Sequence, residues 1–210
     1  EAEAEAPGLG SDDDPYSVCA AACGRTPSFN VRRGVALEDT AVDLARVETA
    51  LRELRPPAGR TLAVLTLSGA LSPVHEGHVQ MLEVAASTLR AGGHAVLFGF
   101  LAPSSEGYLQ HKLADEALGL RERCELCAAA VEARPSVGVL DWGVASSSAI
   151  ALGTEALLRK AFPAFGFSCF QVVGADFARK ASLVDRAGLY VCVKRRGLPR
   201  DDVEWLPAPL

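Results

Sequence analysis

Two kinds of apolar run alternate along this chain. Residues 61–67 (TLAVLTL), 94–101 (HAVLFGFL), 136–140, 168–173 and 189–193 are short, β-branched or aromatic blocks with little polar alternation. Strands buried on both faces read this way. Between them the apolar residues take helical spacing: Val42, Leu44, Val47, Leu51 and Leu54; then Val79, Leu82, Val84, Ala86 and Leu89; then Leu118, Leu120, Cys124, Cys127 and Val131. Two further helices are predicted, over 146–162 and 177–186. Asp39 or Thr40 is the predicted cap of the first helix, and Pro56-Pro57 stops it. Gly92 and Gly93 end the second. Residues 103–112 read as a polar loop, and 17–34 as an arm without a clear period. About five strands with helices between them predict an α/β fold, a Rossmann-like doubly wound parallel sheet covered on both faces.

Composition narrows this picture. The chain has 210 residues and is 49% hydrophobic, enough for one α/β domain with a full core. Residues 1–10 alternate Glu and Ala before turning to Pro and Gly. That repeat also has the form of a processing scar, and 1–16 reads as disordered. The net charge of −5 argues against broad electrostatic binding of nucleic acid. No apolar run approaches the ~18 residues of a transmembrane helix, so no membrane partner is expected. The expected setting is intracellular: cytoplasmic, nuclear or organellar. Six cysteines are scattered, with Cys19/Cys23 and Cys124/Cys127 as close pairs. No second half completes a zinc pattern, and reduced, packed thiols are expected.

In parallel α/β sheets ligands sit beyond the carboxyl ends of the strands. Four chemically unusual segments fall there: 69–78, 103–112, Asp141-Trp142 and 174–180. The first joins a strand to a helix through a Gly/Pro turn. His75 and His78 stand three apart at the helix start, on one face. Two imidazoles, unpaired helix N–H groups and a turn of small residues suit an anion, most naturally phosphate.

The run Gly69-Ala70-Leu71-Ser72-Pro73-Val74-His75-Glu76-Gly77-His78 resembles the first signature of the nucleotidyltransferase superfamily, G-x-F-x-P-x-H-x-G-H, with Leu71 in place of Phe. Within it the chain resembles eukaryotic nicotinamide/nicotinate mononucleotide adenylyltransferases. Residues 103–113, with Tyr108 and Lys112, are similar to that family's S-P-V-x-D-x-Y-x-K-x-x-L. Leu120-Arg121-Glu122-Arg123 resembles its Arg-containing helix, and Leu140-Asp141-Trp142-Gly143 its V-D-x-W-E with a one-residue shift. Gly174-Ala175-Asp176 matches its G-A-D. The likeness covers about 60–196 and departs at the family's second ATP signature, I-S-x-T-x-[IV]-R, which nothing in 194–210 fits. Truncation and decay both account for that. The implied division is an irregular arm over 1–38 and a single nucleotidyltransferase-like domain over 39–210.

The resemblance implies transfer of the adenylyl group of ATP to nicotinamide or nicotinate mononucleotide, with pyrophosphate released. The alternatives are a nucleotide-binding protein without turnover and another adenylyl- or cytidylyltransferase. His75 and His78 would be the catalytic donors to phosphate. Gly69, Ala70, Leu71, Pro73, Gly77 and Lys112 would bind ATP and its phosphates. Tyr108, Trp142, Gly174 and Asp176 would bind the mononucleotide. Mg²⁺ is expected to be carried by phosphate oxygens, with no metal ligand from the protein. The partners would be ATP and a pyridine mononucleotide, with homo-oligomerisation left open. Plainer roles stand beside these. Lys112 also reads as a solvated loop lysine, Trp142 as core and Asp176 as the cap of a helix at Phe177. Lys194-Arg195-Arg196 reads as a phosphate clamp or as a solvated end.

Overall fold

The computed structural model describes residues 16–23, 43–113, 118–144, 146–180 and 189–195. Strand β2 (Thr61–Gly69) is the middle of the sheet. It pairs in parallel with β3 (Val96–Pro103) on one side and β5 (Gly166–Gly174) on the other. Short β4 (Val137–Val139) lies outside β3, and β6 (Leu189–Arg195) outside β5, both parallel. Five parallel strands flanked by helices are the Rossmann-like architecture read from the sequence. A sixth strand, β1 (Tyr16–Cys23), adds antiparallel to β6, giving the order β1-β6-β5-β2-β3-β4. Its sequence, YSVCAAAC, lacks the bulky period-2 signal, so it read as aperiodic arm.

Alternation along the strands builds two cores. In β2, Ala63, Leu65 and Leu67 face α2 (Glu76–Ala91) and the end of α4 (Leu120–Ala130), packing with Val79, Leu82, Leu89, Cys127 and Val131. Leu62 and Val64 face the other way. They join Phe98 and Phe100 of β3 and Phe167 of β5 under α1 (Leu44–Leu54) and α5 (Ser147–Ala161). Both faces are thus apolar, which explains the continuous runs. The thiols of Cys127 and Cys169 are buried among these groups. Burial is the main cause that pushes Cys127 up to about 12 and Cys169 upward as well. Both act as small packed hydrophobes.

Several boundaries differ from the sequence reading, each for a local reason. Helix α1 begins at Leu44 because the Asp43 carboxylate accepts the Arg46 N–H; Asp39 and Thr40 lie outside the described residues. The predicted polar loop at 103–112 contains a helix, α3 (Glu106–Leu113). Ser105 starts it, its hydroxyl accepting the Tyr108 N–H and its carbonyl the Leu109 N–H. With Leu109 as its one fully buried apolar anchor among the described side chains, α3 shows no helical period. A helix over 115–133 is predicted; 115–117 lie outside the described residues, and helix α4 starts at Leu120. There Glu122 accepts the Gly119 N–H and Glu106 of α3 accepts the Leu120 N–H, so two carboxylates meet the helix start. Helix α6 (Ala175–Lys180) follows β5 directly. Asp176 therefore lies inside its first turn and does not cap a helix at Phe177.

From β2 the chain steps outward to β3 and β4, then returns to lay β5 on the other side of β2. The order reverses between β2 and β5, so the connections leaving those strands diverge and open a crevice. Among the described residues no helix is long and apolar enough to cross a membrane.

The two-core arrangement gives a stability test. Leu82, 2% exposed between α2 and the sheet, should cost about 2–5 kcal/mol on Leu82→Ala. Leu126→Ala, at a 41% exposed position of α4, should stay within about 0.5 kcal/mol. Urea unfolding midpoints at a common slope compare the two.

Candidate functional site

The turn from β2 to α2 runs at the crevice. The Ser104 N–H donates to the Gly69 carbonyl at 2.8 Å, tying the ends of β2 and β3 together. Leu71 then takes a left-handed backbone (φ 46°) while its side chain is 2% exposed in the core. That conformation costs a side-chain-bearing residue roughly 1–2 kcal/mol. Its two neighbours are both tied down. Arg123 Nη1 donates to the Ala70 carbonyl at 3.0 Å, and the Leu118 N–H donates to Ser72 Oγ at 3.3 Å. The Ser72–Pro73 peptide is cis.

His75 is the N-cap of α2 with an extended backbone. Its N–H donates to His78 Nδ1 at 3.2 Å, and the His78 N–H donates to the His75 carbonyl at 2.9 Å. The two rings lie 3.8 Å apart between centroids, tilted by 32°. Because Nδ1 of His78 accepts, its proton in the neutral form resides on Nε2, at the opposite edge of the ring. Burial, and then the neighbouring His75, lower the His78 pKa to about 4. At neutral pH His78 is an uncharged hydrogen-bond donor with a fixed tautomer. Beside it, Glu76 pairs with Arg134, which also meets Glu83 of α2. The exposed carboxylates make these bridges individually weak, but they join the first half of α2 to the segment that follows α4.

The predicted phosphate residues Gly69, Ala70, Leu71, Pro73, Gly77 and both histidines thus form one continuous turn and helix start. Gly174 and Asp176 leave the neighbouring strand β5 at the same edge. A Cβ at Gly174 would stand 2.8 Å from Asp176 Oδ1, so glycine is what lets the carboxylate fold back over the strand end. Tyr108 is 43% exposed on α3, just beyond β3. The side chain of Lys112 lies outside the described residues. Trp142 follows β4, with β3 between it and β2. It packs against the α1/α5 core, and its indole N–H is buried without an acceptor among the described residues. Gly143 next to it has φ 57°, and a Cβ there would come within 2.6 Å of Leu120. Lys194 is half-buried within β6, which runs on through Arg195.

Arg123, Ser72 and the Glu76–Arg134 pair were not singled out as site residues. Arg123 is 0% exposed, a guanidinium inside the protein. The resemblance names it within the Arg-containing helix but gives it no role in the site, and the apolar set of α4 skips it, although it stands four residues before Cys127 on the same face. A charged residue on a core stripe was the available signal.

The His78 shift sets a pH test. The unfolded imidazole titrates near the ordinary 6.5, the folded one near 4. Between those values the unfolded chain holds a proton that the folded chain does not, so stability rises with pH across that window. The His78 contribution is intact above 6.5 and lost as pH falls toward about 4. His78→Ala should flatten this part of the profile, as read from urea midpoints at pH values spanning the window. An unchanged slope would mean that His78 is not the titrating group.

No family model matches this chain. Among curated proteins it is similar to the nicotinamide/nicotinic acid mononucleotide adenylyltransferase of Arabidopsis thaliana, with 29% identity over 89 residues. That stretch is 42% of this chain and spans 36% of the length of the relative.

Proposed function

We propose that the chain is an adenylyltransferase that joins the AMP part of ATP to nicotinamide or nicotinate mononucleotide and releases pyrophosphate. The observation that carries this reading is the His75/His78 pair. Two imidazoles of the HxGH pattern, in ring contact, stand at the start of the helix that follows the central strand, at the point where the strand order reverses. The partial likeness to the Arabidopsis adenylyltransferase supports it.

In this reading a phosphate oxygen of the mononucleotide attacks the α-phosphorus of ATP. The new P–O bond forms as the bond to the β-phosphate breaks, and the electron pair leaves with pyrophosphate. No protein nucleophile is required. The chain binds, aligns and stabilises charge. Nε2–H of His78 donates to a phosphate oxygen on which negative charge grows, and His75 is placed to do the same. A neutral donor with a locked tautomer needs no proton loss or ring flip to take up this role. Gly174 and Asp176 would hold the mononucleotide from the β5 side. Among the described residues no three His, Cys, Asp or Glu side chains group to hold a metal. In this reading Mg²⁺ would be carried by phosphate oxygens, supplying charge neutralisation there.

The test is an assay with ATP, Mg²⁺ and each mononucleotide, following dinucleotide and pyrophosphate. Both products should appear; neither appearing with either substrate refutes the reading for this chain. ATP binding without turnover would instead favour a nucleotide-binding protein. His78→Ala should lower kcat by about 10²- to 10³-fold, the usual loss for one preorganised donor. Stability at neutral pH should move by about 1 kcal/mol or less. A variant that melts much lower yet keeps its kcat would make His78 a packing residue.

A further inference from the structure

Arg123 is the one fully buried charged side chain among the described residues. No carboxylate pairs with it there. Its guanidinium is met by two backbone carbonyls: Nε donates to Leu118 at 3.0 Å and Nη1 to Ala70 at 3.0 Å. Nη2 is buried without a partner among the described residues. An apolar side chain of similar volume would complete the stripe of α4 without placing a charge inside the protein. What arginine adds is a rigid fork that reaches two acceptors in fixed directions.

Those acceptors are informative. Ala70 directly precedes Leu71, the left-handed residue of the β2–α2 turn. Leu118, whose carbonyl Arg123 holds, sends its own N–H to Ser72, directly after Leu71. The hydrogen bonds thus close a ring: Ala70 to Arg123, Arg123 to Leu118, Leu118 to Ser72. Within that ring Leu71 cannot relax its backbone unless one of these bonds breaks. Four residues beyond Leu71 begins the histidine pair, joined to it by Ser72, Pro73 and Val74.

We propose that Arg123 is a positioning residue: by clamping the two sides of left-handed Leu71 it sets the path of the turn, and so the placement of His75 and His78 toward phosphate. It touches neither substrate and acts through the turn. The ligand it serves is the triphosphate of the function proposed above, and this inference rests on that reading for the identity of the ligand only. Its placement of the histidines is independently measurable.

The experiment compares the wild-type chain with Arg123→Met, Arg123→Lys and Ser72→Ala, and with Leu158→Ala as a control in the opposite core. Histidine ring protons are titrated by NMR, and MgATP affinity and melting temperature are measured on the same samples. In Arg123→Met the His78 pKa should move from about 4 back toward 6.5, because the burial and ring contact that depress it depend on the turn. MgATP should bind at least about 10-fold more weakly, with turnover falling by up to about 10²-fold where there is turnover. Arg123→Lys keeps the charge but lacks the fork, and should restore only part of this. Ser72→Ala breaks the other arm and should shift His78 in the same direction by less. It carries the test if Arg123→Met does not fold. Leu158→Ala should lower the melting temperature with His78 still near 4.

An Arg123→Met protein that melts lower but keeps the His78 titration and the MgATP affinity makes Arg123 a packing residue, and overturns the proposal. Full restoration by lysine overturns the clamp in favour of charge alone. Should the wild-type chain fail to bind MgATP, the proposed function falls, while the His78 titration across the variants still decides whether Arg123 places the histidines.

Discussion

Parallel pairing of β2 on both of its edges is the constraint from which the architecture follows. A parallel neighbour cannot be reached by a hairpin, so each link must cross a face of the sheet. Helices α2 and α4 cross on one face and α5 on the other, and each must bury an apolar stripe against it. That demand buries Leu62 to Leu67 without a break and makes all but Thr66 apolar, since alternate residues serve opposite cores. It also forces the strand order to reverse beside β2. The crevice is therefore a consequence of connectivity. What the chain places at its mouth, a glycine turn and two imidazoles after β2 and a glycine with an acidic residue after β5, is chemistry added to a geometry already set.

How far the fold could be read from the residues depends on how each element is stabilised. Strands β2, β3 and β5 and helices α2 and α5 are held by long apolar faces, and their patterns stand out. Ser146 was legible as the start of α5, and its hydroxyl does accept the Ala149 N–H. Helix α3 was not legible, because it rests on a serine cap and Leu109 more than on a stripe. The start of α4, predicted at Asp115, was misplaced because Leu118 looks like a member of the helical set. It is instead a connector that bonds backwards to Ser72. Strand β1 is stabilised by hydrogen bonds along β6, and small residues such as Ala20, Ala21 and Ala22 leave little trace of that pairing.

The same division runs through the site. Residues contiguous in sequence, 69–78, were legible as a unit because spacing alone places two histidines on one helical face. Contacts from distant segments were not. Arg123 reaches Ala70 across 53 residues and Arg134 reaches Glu76 across 58. The state of His78 was hidden as well. Spacing predicts two donors, but not that His75 would occupy Nδ1 of its neighbour and leave a neutral ring with its proton on Nε2.

Three departures from ordinary folding preference meet in this one region. Leu71 has a backbone conformation that leucine disfavours, Arg123 is a buried cation with no counter-ion among the described residues, and His78 stays uncharged well below its ordinary pKa. The first two oppose stability when taken singly, and the third does so as the pH falls below 6.5. They are also linked: Arg123 is bonded to the residue before Leu71, and the turn leads from there into the histidine pair. A chain selected for stability alone would have little reason to gather such costs at a strand end facing the crevice, since Gly at 71 and Met at 123 would remove two of them. Local rules are most often broken where a structure is used rather than merely maintained. The clustering of these costs therefore points to the β2–α2 turn as the working part of the molecule, on grounds separate from the likeness of its sequence to any family.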